Sequence, residues 1–243
     1  MVLKKTTYEQ RMARAGAKRK MLLDFLADET WTTQQIIERL LRCTRWTASR
    51  TLKAAERGKL IRVEKVGRYM LYGITGAGVA ETDKITMPEY EFGHVREHLI
   101  EHTLETQRAR IEAEALDWRD WTPARRINNR PDEGERRKAL MKSGVKLPDA
   151  IVTRPDGRKV AIEIERTVKS RRRYGGVIAN HITAILQKRY DLVHYISPTG
   201  KAGTLKRLFD SIPAVRLENQ LRPLSDAQRS RFKFYNIEEW PPR

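Results

Sequence analysis

The chain of 243 residues carries 49 Lys and Arg against 31 Asp and Glu, a formal net charge of +18, with 40% hydrophobic residues and one cysteine. That length can build a hydrophobic core for one large domain or two modest ones, and the charge calls for a polyanionic partner, most simply nucleic acid. Cys43 alone excludes an internal disulfide and a cysteine-based zinc site and reads as a buried structural thiol in a reducing cytoplasm, while no apolar run approaches the ~18 residues of a membrane span and no signal-peptide pattern opens the chain.

Residues 8 to 27 read as a basic amphipathic helix, and Thr32-Thr33-Gln34-Gln35 opens a second whose Ile36, Ile37, Leu40 and Leu41 recur at helical spacing. After a short turn at Arg42 to Arg45, Trp46 to Arg57 forms a third helix ended by Gly58. Leu60 to Glu64, a Val66-Gly67-Arg68 turn and Tyr69 to Ile74 then make a hairpin. Three helices followed by a two-stranded hairpin predict a winged helix-turn-helix over residues 1 to 78, whose third helix enters the DNA major groove while the wing touches backbone or minor groove. Residues 1 to 75 hold 17 Lys or Arg against 7 Asp or Glu, a balance of +10. Arg45, Thr47, Ser49, Arg50 and Lys53 on the helix, with Lys65 and Arg68 on the wing, are the candidate DNA contacts. The same fold used for protein contact remains the alternative.

Small and polar residues around Gly76, Gly78 and Pro88 mark a linker at 79 to 90. Residues 92 to 116 read as a long helix with His94, His98 and His102 at four-residue intervals, a stripe suited to metal or acid–base work, or else a solvated polar face shared with Glu97, Glu101 and Glu105. A strand near Trp118 to Trp121 follows, and the basic, glycine-interrupted residues 124 to 146 suggest a DNA-contacting loop.

Residues 147 to 165 are the most informative. Pro155-Asp156-Gly157 is a turn signal between two β-compatible runs, so mirror positions about Asp156 should lie opposite each other. In that register Asp149 faces Glu163, with Cβ atoms roughly 4.5 to 5.5 Å apart. Glu165, two residues on, shares their face, and Val160, Ile162 and Ile164 form the opposite, buried one. Clustered carboxylates repel unless a cation sits among them, and a hard cation such as Mg²⁺ or Mn²⁺ answers that need. The bland alternative is a solvated hairpin face. Against it, Arg166, Lys169 and Arg171-Arg172-Arg173 follow at once, joining a phosphate-attracting cluster to a metal-attracting one, as phosphodiester chemistry requires.

A basic helix ending in Gln187-Lys188-Arg189-Tyr190 comes next, then a strand over Asp191 to Ser197, a helix over Lys201 to Ile212 and a short strand over Ala214 to Leu217. The last twenty residues offer no motif, there are no internal repeats, and no glycine-rich nucleotide-binding loop occurs.

Pro148-Asp149 followed after a hairpin by Glu163-Ile164-Glu165 resembles the PD-(D/E)xK core of restriction-endonuclease-like nucleases, with Glu165 where the pattern usually has Lys. Lys169, one helical turn on, is the candidate to have taken over the lysine's role. His102-Thr103-Leu104-Glu105 followed by Arg108-Ala109-Arg110-Ile111 resembles the first helix of replication-relaxation and MobC-type mobilisation proteins, which join a winged helix to a nuclease-like domain, and the order of parts agrees over roughly residues 10 to 200. The resemblance implies an α+β chain with an αβββαβ nuclease domain over residues 91 to 220 and a tail over 221 to 243. It also implies an enzyme that nicks one strand at a plasmid transfer origin, with accessory mobilisation and coupling proteins as partners. In that account Asp149 and Glu163 hold the metal, Glu165 helps orient the ion or the attacking water, Lys169 stabilises the phosphate, and His102 adds a ligand or proton carrier. Two other readings stay open: a covalent tyrosine relaxase using Tyr8 or Tyr174, disfavoured because no His-hydrophobe-His occurs, and a DNA-binding repressor with an inactive nuclease-like domain. A double-strand restriction enzyme is also open.

Overall fold

A computed structural model describes residues 7–84, 89–128 and 147–242. The chain is a mixed α+β protein that divides into two compact units, Met1–Gln107 and Arg108–Arg243. The division falls inside a helix rather than in the linker expected over 79–90, of which residues 85–88 lie outside the described residues. Among the described residues no helix is long and apolar enough to cross a membrane.

In the first unit, α1 (Tyr8–Glu29) begins with a capping box, in which Thr7 Oγ1 accepts from the Gln10 N–H at 3.3 Å and Gln10 Oε1 from the Thr7 N–H at 3.2 Å. Only its last turns are buried, through Leu22, Leu23, Phe25 and Leu26. Thr30, with φ 71°, turns the chain into β1 (Trp31–Thr32). α2 (Gln34–Leu40) buries Ile36 and Ile37, and α3 (Arg45–Arg57), capped by Thr44, buries Ala48, Leu52 and Ala55 at helical spacing. Cys43, in the turn between them, is half-buried rather than buried as expected. β2 (Ile61–Val66) and β3 (Tyr69–Ile74) pair antiparallel, and β1 joins the far edge of β3, giving the order β1-β3-β2. Gly73 is required by close approach, since a Cβ there would lie 2.2 Å from the Tyr90 ring.

α4 (Gly76–Ala80) precedes α5 (Glu97–Glu114). The Gln107 amide fastens α5 to β1, donating to the Trp31 carbonyl and accepting from Thr32 Oγ1, both at 2.7 Å. Because α5 starts at Glu97, His94 precedes it, and the expected three-histidine stripe reduces to His98 and His102.

The second unit contains β4 (Arg119–Pro123), α6 (Ala124–Asn128), β5 (Ala150–Thr153), β6 (Lys159–Ile164), α7 (Arg171–Leu186) and β7 (Leu192–Ser197). After these come α8 (Ala202–Asp210), β8 (Ala214–Leu217), β9 (Gln220–Pro223), α9 (Asp226–Arg229) and β10 (Phe232–Asn236). The sheet order is β10-β7-β6-β5-β4; β4, β5 and β6 run antiparallel in turn, and β6, β7 and β10 are parallel. Among the described residues, and apart from the short α6, the order from α5 to β7 is helix, three strands, helix, strand. Residues 129–146 of the expected basic loop lie outside the described residues.

One sheet face packs Val160, Ile162 and Ile164 against Ala109, Ala113, Trp118, Trp121 and Trp240. The other packs Ala161, Val193 and Tyr195 against Tyr174, Ile178 and Ile182 of α7 and Leu205 and Phe209 of α8. β6 and β7, covered on both sides, therefore read as near-continuous apolar runs. The C-terminal stretch departs from expectation: β8 pairs with β9 in a separate sheet, while β10 lies beside β7 and Trp240 enters the core.

Candidate functional site

The β5–β6 turn forms as Pro155-Asp156-Gly157 requires. Gly157, at φ 84°, donates to the Arg154 carbonyl at 2.9 Å, and Arg158 hydrogen bonds hold the Asp156 carboxyl below the usual carboxylate range. Pairs run Ala150↔Ile162 to Thr153↔Lys159, symmetric about Asp156. At Asp149 the backbone slips from that mirror, its N–H donating to the Ile162 carbonyl at 2.9 Å, while its carboxylate Oδ2 accepts from the Ile164 N–H at 2.8 Å. Asp149 thus meets β6 at the peptide that joins Glu163 to Ile164.

Both glutamates are buried, at 2% and 6% exposure, so the bland expectation of a solvated face is overturned. Their side of β6 is roofed by α7. Glu163 Oε1 lies 3.4 Å from His181 Nε2, and His181 Nδ1 is 2.7 Å from the Tyr190 hydroxyl. Glu165 takes the Lys169 ammonium on both oxygens, at 2.7 and 2.5 Å. On β7, Tyr195 is the cross-strand neighbour of Glu163, and the parallel register carried one step on puts Ser197 beside Glu165. The Tyr195 and Ser197 hydroxyls are buried without a hydrogen-bond partner among the described residues. Burial, then the Glu163 charge, push the Tyr190 and Tyr195 hydroxyl pKa values up.

The three carboxylates do not form the convergent trio expected. Among the described residues no group of three or more His, Cys, Asp or Glu is arranged to hold a metal ion, and Glu165 is engaged by Lys169. The Asp149 carboxylate is engaged by the Ile164 N–H, and that of Glu163 lies against His181. His102 belongs to the first unit, whereas Asp149, Glu163 and Glu165 belong to the second. Arg171, Arg172 and Arg173 are exposed on the first turn of α7, Arg171 donating to the Ser211 carbonyl. Tyr174, the alternative nucleophile, is buried, its hydroxyl accepts from the Lys169 N–H at 3.1 Å, and burial raises its pKa. Tyr8 is exposed at the start of α1.

In the first unit, Arg45, Arg50 and Lys53 are exposed on α3, and Lys65 is exposed on β2. Thr47 and Ser49 are half-buried, Thr47 lending its N–H to the Thr44 cap. Arg68 is exposed on the turn between β2 and β3 and bonds Glu101 and the Tyr69 hydroxyl, at 2.8 and 2.7 Å.

Several residues were not singled out from the sequence. Trp46 stands 67% exposed on α3 with the Arg50 guanidinium 4.6 Å from its ring centroid; its signal was a tryptophan off the helical stripe of Ala48, Leu52 and Ala55. Tyr195 and Ser197 could have been found as polar positions in an otherwise apolar strand. His181 carried no signal, being a lone histidine on an apolar helix face. Comparison with protein-family models, with curated proteins and with solved structures finds no match to this chain.

Proposed function

We propose that the protein binds duplex DNA through a winged helix in its first unit and cuts one strand at the Asp149–Glu163 end of β6 in a PD-(D/E)xK-like second unit. The observation that carries this reading is the Asp149 carboxylate accepting from the N–H of Ile164, a residue flanked by two buried glutamates, with the Lys169 ammonium on the second. The Tyr195 and Ser197 hydroxyls, buried on the neighbouring strand without a hydrogen-bond partner among the described residues, leave hydrogen-bonding capacity beside the two glutamates for a water or a ligand. Asp149 and Glu163 would hold a Mg²⁺ or Mn²⁺ ion, which when bound supplies an activated water and neutralises charge on the phosphate. Glu165 then serves as the partner that fixes Lys169, and Lys169 with Arg171, Arg172 and Arg173 would grip the phosphodiester backbone. α3, with Arg45, Arg50, Lys53 and the neighbouring Trp46, is the groove-reading element of this proposal. The resemblance to mobilisation proteins adds its finer terms: a plasmid transfer origin as substrate, accessory mobilisation and coupling proteins as partners, and a cytoplasmic setting.

The test is conversion of supercoiled plasmid to open circle with Mg²⁺. Glu163→Ala should abolish it while leaving DNA binding intact, and activity retained in that variant would remove the proposal. Tyr174→Phe should nick as the parent does, since the buried hydroxyl reaches no substrate.

A second reading, a DNA-binding regulator without catalysis, is favoured by the pairing of Glu163 with His181 and of Glu165 with Lys169. Tight, metal-independent binding with no cleavage of origin-bearing plasmid would select it.

A further inference from the structure

The first turns of α1 project from the first unit without being covered by any described residue: Tyr8 to Ala17 and Arg19 to Met21 are exposed, and Lys18 is half-buried. Within this stretch Arg11, Arg14 and Lys18 follow one another by three and four residues, so they share one helix face, with Tyr8 three residues ahead on the same side. None of the three cations has an ion-pair partner among the described residues. Their neighbours do: Arg19 meets Glu81 at 3.6 Å and Lys20 meets Asp24 at 2.9 Å.

This stripe works against the helix that carries it. Like charges at such spacings destabilise a helix by ~0.2 to 0.5 kcal/mol per pair, and cations near the N-terminus oppose the backbone dipole. The helix is nonetheless held together by the Thr7–Gln10 capping box at one end and by the buried Leu22, Leu23, Phe25 and Leu26 at the other. An incoming row of anions would relieve the repulsion. Arg11 to Lys18 span about 10 Å along the axis, close to the advance of three successive phosphates on one strand.

We infer that the projecting half of α1 is a second DNA-binding element, gripping the sugar–phosphate backbone through Arg11, Arg14 and Lys18 without regard to sequence. A lipid surface suits it less well, because an interfacial helix needs a broad apolar face, and Tyr8 and Met12 are the only large apolar side chains between residues 7 and 20. The inference rests on the DNA-binding half of the proposed function and not on cleavage.

The experiment is binding of the full chain to a fluorescein-labelled duplex of about 30 base pairs, followed by anisotropy without divalent metal over a series of salt concentrations. Each phosphate contact contributes about 0.9 to the slope of log affinity against log salt. The triple variant Arg11→Gln, Arg14→Gln, Lys18→Gln should therefore show a slope shallower by about two to three. Its affinity at low salt should fall about ten- to a hundredfold, equally for unrelated duplex sequences, whereas Lys20→Gln, which removes an already paired cation, should leave the slope unchanged. A triple variant that keeps the parent slope while remaining helical overturns this inference alone. A parent chain that binds no duplex overturns the proposed function with it, and one that instead sediments with phosphatidylserine vesicles assigns the stripe to membranes.

Discussion

A carboxylate as buried as that of Glu165 is costly unless a cation lies against it, because desolvation penalises the charged form and unpaired buried charge is among the most destabilising of defects. Lys169, about a third exposed, supplies that cation from one helical turn on. Lys169→Met should therefore lower stability by about 2 to 3 kcal/mol, read from the urea midpoint. Adding Glu165→Gln should recover part of the loss, since both partners are then removed together. On the opposite sheet face, His194 is buried and accepts from Trp240 Nε1 through Nδ1 at 3.2 Å. Burial first, then the Arg154 charge, push its pKa down to about 3. The unfolded chain, with an ordinary histidine, binds the extra proton between about pH 6.5 and 3, so the stability His194 contributes is complete above that window and is lost as pH falls through it. Between pH 6.5 and 4.5 the parent should lose about 2 to 3 kcal/mol more than His194→Gln, which keeps an acceptor for Trp240 but does not titrate. Equal pH slopes for the two proteins would show that His194 is not held neutral.

At the scale of elements, α3 divides cleanly into an anchored face of Ala48, Leu52 and Ala55 and an outer face on which Trp46 and Arg50 stack, four residues apart. The stack holds a long guanidinium in one orientation before any partner arrives, which lowers the entropy lost on binding. Arg50→Lys keeps the charge and loses the planar fork, so it and Trp46→Ala should each weaken duplex binding about five- to tenfold with little change in melting temperature. A loss in binding that merely tracks a loss in stability would assign both residues to the fold. What the sequence revealed follows the range of the interactions involved. The β5–β6 register was legible because the Asp156 turn sets it locally, and the α2 face because Ile36 and Ile37 recur at helical spacing within one helix. The burial of Glu163 and Glu165 was not, since alternating glutamates read the same whether water or α7 lies over them, and the His181 contact joins residues eighteen apart across two elements. The slip at Asp149 was equally hidden: it depends on a side-chain bond to the Ile164 N–H that no alternation of residue types encodes.

At the scale of the whole chain, the C-terminal residues matter more than their sequence suggested. Phe232-Lys233-Phe234-Tyr235-Asn236 is too short to announce itself as a strand, and its partner β7 lies some forty residues earlier, beyond the reach of any local pattern. Once paired it covers an edge that would otherwise leave the β7 backbone groups unmatched, and Phe232 enters the core beneath α7 and α8. Trp240 closes the opposite face, edge-on to Trp118 and bonded to His194. The two contributions can be separated by where the chain is cut. A chain ending at Asn236 keeps β10 and loses Trp240, and should be destabilised by about 3 to 5 kcal/mol, as for removal of a buried tryptophan. One ending at Leu224 loses β10 as well, exposes one edge of a parallel pair and opens both faces of the sheet, so the second unit should no longer unfold cooperatively. Near-ultraviolet circular dichroism together with urea titration of the three lengths would check this. If the chain ending at Leu224 unfolded as sharply as the parent, β10 would be an appendage and the sheet would be complete at β7.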